Sequence, residues 1–144
     1  MRPILLLLLL ASCLNRADSP EAALREFVDL RLEKIVSRTE VLQRTTGKLN
    51  SSIDAMSDEE FSKFSDLKKF RRESFRVLSK SCVEKRCYLT YSLGYRQMGE
   101  KTVAWSSEVK KIAEVQWLDG KWLIADVSNV KTYHEANEAI EVTP

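Results

Sequence analysis

The chain has 144 residues, 44% hydrophobic and 31% charged, which makes one globular domain and excludes a two-domain cofactor enzyme, a membrane bundle and a disordered tail. Lys plus Arg at 23 against Asp plus Glu at 21 leaves +2, too small for the basic face of a nucleic-acid binder. One His and three Cys, at positions 13, 82 and 87, supply no metal-ligand cluster, so neither metal nor cofactor is expected.

Met1-Arg2-Pro3 is a short positive start, followed by an unbroken apolar run from Ile4 to Leu10 and then small residues, the pattern of an export signal. At ~1.5 Å per helical residue the run reaches about 10 Å, a third of the roughly 30 Å hydrocarbon core, too short for a lasting span. Leu10-Ala11-Ser12-Cys13 resembles a bacterial lipobox. That resemblance implies a signal peptide over residues 1–12, acyl chains on Cys13 that hold the protein on a lipid bilayer, and a tether over residues 13–18. Leu14 then favours the outer membrane, facing the periplasm. An ordinary cleaved signal with an incidental Cys, or an uncleaved anchor, are the alternatives. Removing residues 1–12 takes away one charge, Arg2, and leaves a nearly neutral domain.

Ser19 reads as a helix cap, with Pro20 at the first helical position and Glu21 in the first turn. Apolar residues recur at Leu24, Phe27, Val28, Leu32, Ile35, Val36 and Leu42, predicting one long amphipathic helix that ends near Thr45-Thr46-Gly47. Leu49, Ile53 and Met56 predict a short second helix. Ser57-Asp58-Glu59-Glu60 is a capping box, with Met56 and Phe61 placed as a hydrophobic staple. A third helix follows on Phe61, Phe64 and Leu67, closed by the run Lys68-Lys69-Phe70-Arg71-Arg72.

From Phe75 the period becomes alternating. Strands are predicted from about Cys87 to Gln97, from Val103 to Leu118 and from Lys121 to Thr132, with a turn around Met98-Gly99-Glu100-Lys101 and a polar tail over 135–144. Asp119-Gly120 between the last two signals a tight hairpin of the primed type. Helices first and an antiparallel meander afterwards define an α+β domain over residues 19–134, with helices covering one face of a curved sheet.

Cys82 and Cys87 flank Val83-Glu84-Lys85-Arg86, with strand-like sequence on both sides. In an oxidising compartment a bridge across a hairpin loop is the simple reading, contributing roughly 2 kcal/mol for so short a loop. A redox-active pair is the other, although the tight Cys-x-x-Cys spacing is lacking. Lys68, Lys69, Arg71 and Arg72 read as a solvated helix end, or as a contact for anionic lipid.

The order of elements, and the hairpin from Ala113 to Val127 with its Asp119-Gly120-Lys121-Trp122, resemble the nuclear transport factor 2-like superfamily, which includes ketosteroid-isomerase-like and polyketide-cyclase-like proteins. The resemblance implies a cone-shaped fold with a cavity between helix and sheet, and homodimerisation through the sheet in many members. The groups that would reach such a cavity are Asp29, Tyr91, Tyr95, Trp105, Asp126 and His134. Asp29 otherwise reads as a solvated helix-edge residue, His134 as a surface residue beyond the last strand, and Tyr91 and Tyr95 as core aromatics. Asp126 shares strand parity with Trp122 and Ile124, so in the absence of a bulge it faces inward. No catalytic constellation is present, so the leading expectation is a non-enzymatic lipoprotein of the envelope that binds a small apolar ligand or an envelope protein. The alternative is an isomerase- or cyclase-type acid/base enzyme using Asp126 with a Tyr as electrophile.

Overall fold

A computed structural model describes residues 17–33, 35–97 and 105–136. Among them, four helices precede four strands: α1 (Pro20–Glu33), α2 (Arg38–Leu42), α3 (Gly47–Asp54), α4 (Asp58–Ser65), β1 (Phe70–Val83), β2 (Arg86–Gln97), β3 (Trp105–Leu118) and β4 (Lys121–Ala136). The strands pair antiparallel in the order β1-β2-β3-β4, so this is an α+β fold in which each strand neighbours the next in sequence.

The long first helix is two helices. Ser37-Arg38-Thr39-Glu40 is a second capping box: the Ser37 amide donates to Glu40 Oε2 at 2.8 Å and the Glu40 amide to Ser37 Oγ at 3.2 Å. A reciprocal cap satisfies the first free amides of a new helix, which makes a restart at Ser37 favourable. The predicted box at Ser57 forms in the same way, and its hydrogen bonds hold the Glu60 carboxyl below its usual range. Gly47 takes a left-handed φ of +55°, but at the start of α3 rather than at the end of a long helix.

The basic run after α4 does not close that helix. The chain leaves it at Ser65, and Phe70, Arg71 and Arg72 open β1 opposite Gln97, Arg96 and Tyr95. Here pairing with β2 overrides the local reading of the charges as a helix end. Phe70 packs edge-on against Tyr95 at 5.2 Å, and Arg72 turns to α1, where it meets Asp29 at 2.5 Å and Glu33 at 3.7 Å. Asp29 is therefore an inter-element ion-pair partner, neither a solvated edge residue nor a pocket base.

Both hairpin turns carry positive φ, at Glu84 in the first and at Asp119 and Gly120 in the second. Positive φ at both central residues is the primed geometry that matches strand twist. Cys82 stands directly opposite Cys87 beside the first turn, and the two sulfurs are bonded. The last strand runs past Thr132, so His134 lies on β4 opposite Ser107 rather than beyond it, and residues 135 and 136 are strand and not tail. The turn predicted at 98–101 lies outside the described residues.

The core lies between α1 and one face of the sheet, built on Leu24, Phe27 and Val28 from the helix against Leu89, Tyr91, Ala113, Val115 and Ile124. The outer face carries ion pairs, Arg76–Glu108 (3.8 Å), Arg86–Glu114 (3.1 Å) and Arg96–Glu73 (2.7 Å), beside the exposed apolar side chains of Tyr88 and Ile112. Among the described residues no helix is long and apolar enough to cross a membrane.

Candidate ligand-binding site

Antiparallel register places residues of three strands in rows across the inner face of the sheet. One row is Tyr91, Lys111 and Asn129, and the neighbouring row is Leu93, Val109 and Thr132. α1 passes over them with Phe27, Val28, Arg31 and Leu32 on its lower side, an i, i+3, i+4 stripe. Leu67, Phe70, Tyr95 and Val127 complete the wall of a cavity of about 240 Å³.

The polar groups of this cavity are unusual in sign. Among the described residues none of its lining side chains is a carboxylate, while two are cations, Arg31 and Lys111. Arg31 lies 4.0 Å over the Phe64 ring, and its Nη2 donates to the Phe64 carbonyl at 3.0 Å. Its Nε is buried without a hydrogen-bond partner among the described residues, and burial holds its pKa below the ordinary arginine value. Lys111 is likewise pushed down, first by burial and then by the positive charge of Arg31. Tyr91 is 2% exposed, and loss of water around its hydroxyl raises its pKa to about 12, so it remains a neutral donor throughout the physiological range.

A lysine on an inner strand face with no ion-pair partner among the described residues is a cost to folding, and the sign of its pH dependence follows. The folded pKa of Lys111 lies below its unfolded value, so between the two the unfolded chain binds more protons and stability rises with pH. Replacing Lys111 with Met should raise the unfolding free energy at pH 7 by on the order of 1 kcal/mol, read as a higher urea midpoint. The advantage should shrink as pH is raised towards the unfolded lysine pKa. Equal midpoints at pH 7 would contradict it.

Of the residues expected from the sequence at such a cavity, Tyr91 and Tyr95 line it. Asp126 does not. β4 carries a bulge between the pairs Glu114–Asp126 and Val115–Ile124, leaving Ala125 as the extra residue. The bulge is held from outside the sheet: Ile124 N–H donates to the Arg44 carbonyl at 3.0 Å, and Thr46 N–H donates to the Ile124 carbonyl at 2.9 Å. One inserted residue reverses the parity of the strand, so Val127 and Asn129 face the cavity. The Asp126 carboxylate instead accepts from the Val127 amide at 3.0 Å, with Lys48 Nζ at 3.7 Å. Trp105 opens β3 opposite Gln97, and its side chain, like that of His134, is outside the described residues, as is Cys13. Trp117 and Trp122 pack edge-on at 5.3 Å beside the second hairpin turn and do not line the cavity.

Arg31, Lys111 and Asn129 were missed, yet two of them carry a sequence signal. Arg31 sits on the apolar stripe of α1, four residues after Phe27 and three after Val28, and Lys111 interrupts the inward alternation Val109, Ala113, Val115. A cation at an inward position on each of two packed elements is the trace of a polar cavity.

No family model matches the chain, and no curated protein matches it. A solved structure does: the solution structure of a SEC-C motif containing protein from Rhodopseudomonas palustris, at 17% identity and a TM-score of 0.57, covering 81% of this chain and 82% of that one. At that identity the likeness shows the fold alone. It corrects the resemblance drawn from the sequence, since the match is to a SEC-C motif containing protein and nothing found supports a lipoprotein carrying a nuclear transport factor 2-like domain. The physical reason is that Asp119-Gly120-Lys121-Trp122 encodes a turn, and turn chemistry of this kind serves any tight antiparallel hairpin. The lipobox residues Leu10 to Cys13 lie outside the described residues. Fold and cavity together define the class: an α+β domain with a small chamber roofed by its first helix.

Proposed function

We propose that the domain is a non-enzymatic binding module that takes up a small, mainly apolar molecule, and that it works outside the cytosol, in the cell envelope. The observation that carries the first part is the chamber itself, with largely apolar walls from helix and sheet and a few polar groups at defined places, as small-molecule sites have. The acid/base alternative loses its base, because Asp126 is turned away by the bulge and the cavity walls described hold no other carboxylate. Ion pairing across the outer face of the sheet favours a ligand in the chamber over a homodimer or an envelope partner docked on that face. The location is supported by the apolar start of the chain and by the Cys82–Cys87 bond, since such bonds persist in oxidising compartments.

Binding is tested with the neutral dye N-phenyl-1-naphthylamine. Its fluorescence should rise saturably with the wild-type protein and lose that response in Val127→Trp, which fills the chamber from the edge strand. No saturable rise, or an equal one in the variant, would sink the reading. The location is tested by alkylating protein taken from its native compartment without reductant: Cys82 and Cys87 should stay unlabelled, and labelling of both would exclude an oxidising environment.

A further inference from the structure

We infer that the ligand of this chamber is an anionic amphiphile, a molecule with a short apolar body and one carboxylate head, held by Arg31 and Lys111. The inference rests on the binding reading above and adds the chemistry of the head group. Four observations meet here. First, both cations stand on the chamber wall, one from α1 and one from β3, with no carboxylate among the described lining residues. The acidic residues nearest to Arg31 on its own helix, Asp29 and Glu33, are engaged by Arg72 instead. Second, Arg31 keeps a buried Nε that donates to nothing among the described residues, while the same guanidinium is fixed in place by the Phe64 ring and carbonyl. A buried donor without an acceptor is costly, and a fixed one is already oriented for a ligand oxygen. Third, the row Tyr91, Lys111, Asn129 sets a hydroxyl and an amide on either side of the lysine, so an oxyanion arriving there finds neutral donors beside the charge. Fourth, a groove next to the chamber shares Arg31, Leu32, Leu67 and Phe70 with it and adds Lys68 and Arg71, against the single carboxylate Glu33. Positive charge on that approach raises the local concentration of anions. Apart from the hydroxyls of Tyr95 and Thr132, the rest of the described lining, Phe27, Val28, Leu93 and Val109 among it, is apolar, which sets the apolar body of the ligand.

The test compares three probes with the same eight-carbon chain, octanoate, octanol and octylammonium, at pH 7, by displacement of the neutral dye and by amide chemical-shift titration. Octanoate should bind roughly ten-fold or more tighter than octanol, the factor expected of one charge-assisted hydrogen bond in a partly dry site, and octylammonium should bind worst. Lys111→Met and Arg31→Met should each remove most of the preference for octanoate over octanol. Lys111→Met is the variant that keeps the test decisive if loss of the Phe64 contacts unfolds the arginine variant. Equal affinity for octanoate and octanol, or a preference that survives Lys111→Met and Arg31→Met, overturns the head-group assignment and leaves the apolar binding module standing. Failure of the dye and all three probes to bind overturns both.

Discussion

Truncating Leu24 to Ala should lower stability by about 3–5 kcal/mol, the range for a fully buried leucine whose cavity cannot collapse. Leu24 is 0% exposed and belongs to the stripe that seats α1 on the sheet, beside Leu89, Val115 and Ile124. Because α1 also roofs the chamber, its seating and the chamber's shape are one packing problem. The control is Val127→Ala, at a half-buried chamber wall, where the removed methyls face space that is already open. That change should cost roughly 1 kcal/mol or less. Urea unfolding of both variants decides the matter: equal losses would mean that the chamber is as tightly packed as the core.

The second large effect is expected at Arg38, the first residue of α2. Its Nη1 donates to the carbonyls of Ile53 and Asp54, both at 3.3 Å, and of Met56 at 2.5 Å. Its Nη2 donates to the Ser57 carbonyl at 3.2 Å and to Asp58 Oδ1 at 3.1 Å. The guanidinium also lies 5.0 Å over the Phe61 ring. One side chain thus satisfies the free carbonyls at the end of α3 and ties α2 to the start of α4. Arg38→Ala should cost about 2–3 kcal/mol, since several carbonyls lose a charged donor together. Arg38→Lys should recover only a small part, because a point charge cannot serve the two directions that the guanidinium fork serves. Full recovery by lysine would show that charge alone matters at this position.

How much of this was legible before the structure differs by the range of the interaction. The break between α1 and α2 was written locally, in Ser37 and Glu40, and was overlooked only because Ile35, Val36 and Leu42 continue the apolar period across it. Ile35 in fact points to solvent at 71% exposure, so apolar spacing alone does not say which residues are buried. Arg31 and Lys111 were legible one at a time, as cations at inward positions, but not as a pair. Their meeting requires α1 to cross β3 at one particular height.

By itself the sequence determined the α+β class, the order of helices before an antiparallel meander, the cap at Ser57 and the primed turn at Asp119-Gly120. All of these rest on hydrogen bonds and dihedral preferences within a few residues, so they are set wherever the chain goes. Tertiary structure alone decided that Lys68-Lys69-Phe70-Arg71-Arg72 leads into a strand, that Asp29 belongs to Arg72, and that Asp126 leaves the chamber while Asn129 enters it. The last of these turns on one unpaired residue, Ala125, kept in place by backbone groups of residues 44 and 46 some eighty positions earlier in the chain. A strand's parity is a period of two, so a single distant contact that admits one extra residue reverses the side chains after it, here Asp126 to Asn129, until a second extra residue, Val130, turns Thr132 to the chamber, and no local pattern records that contact.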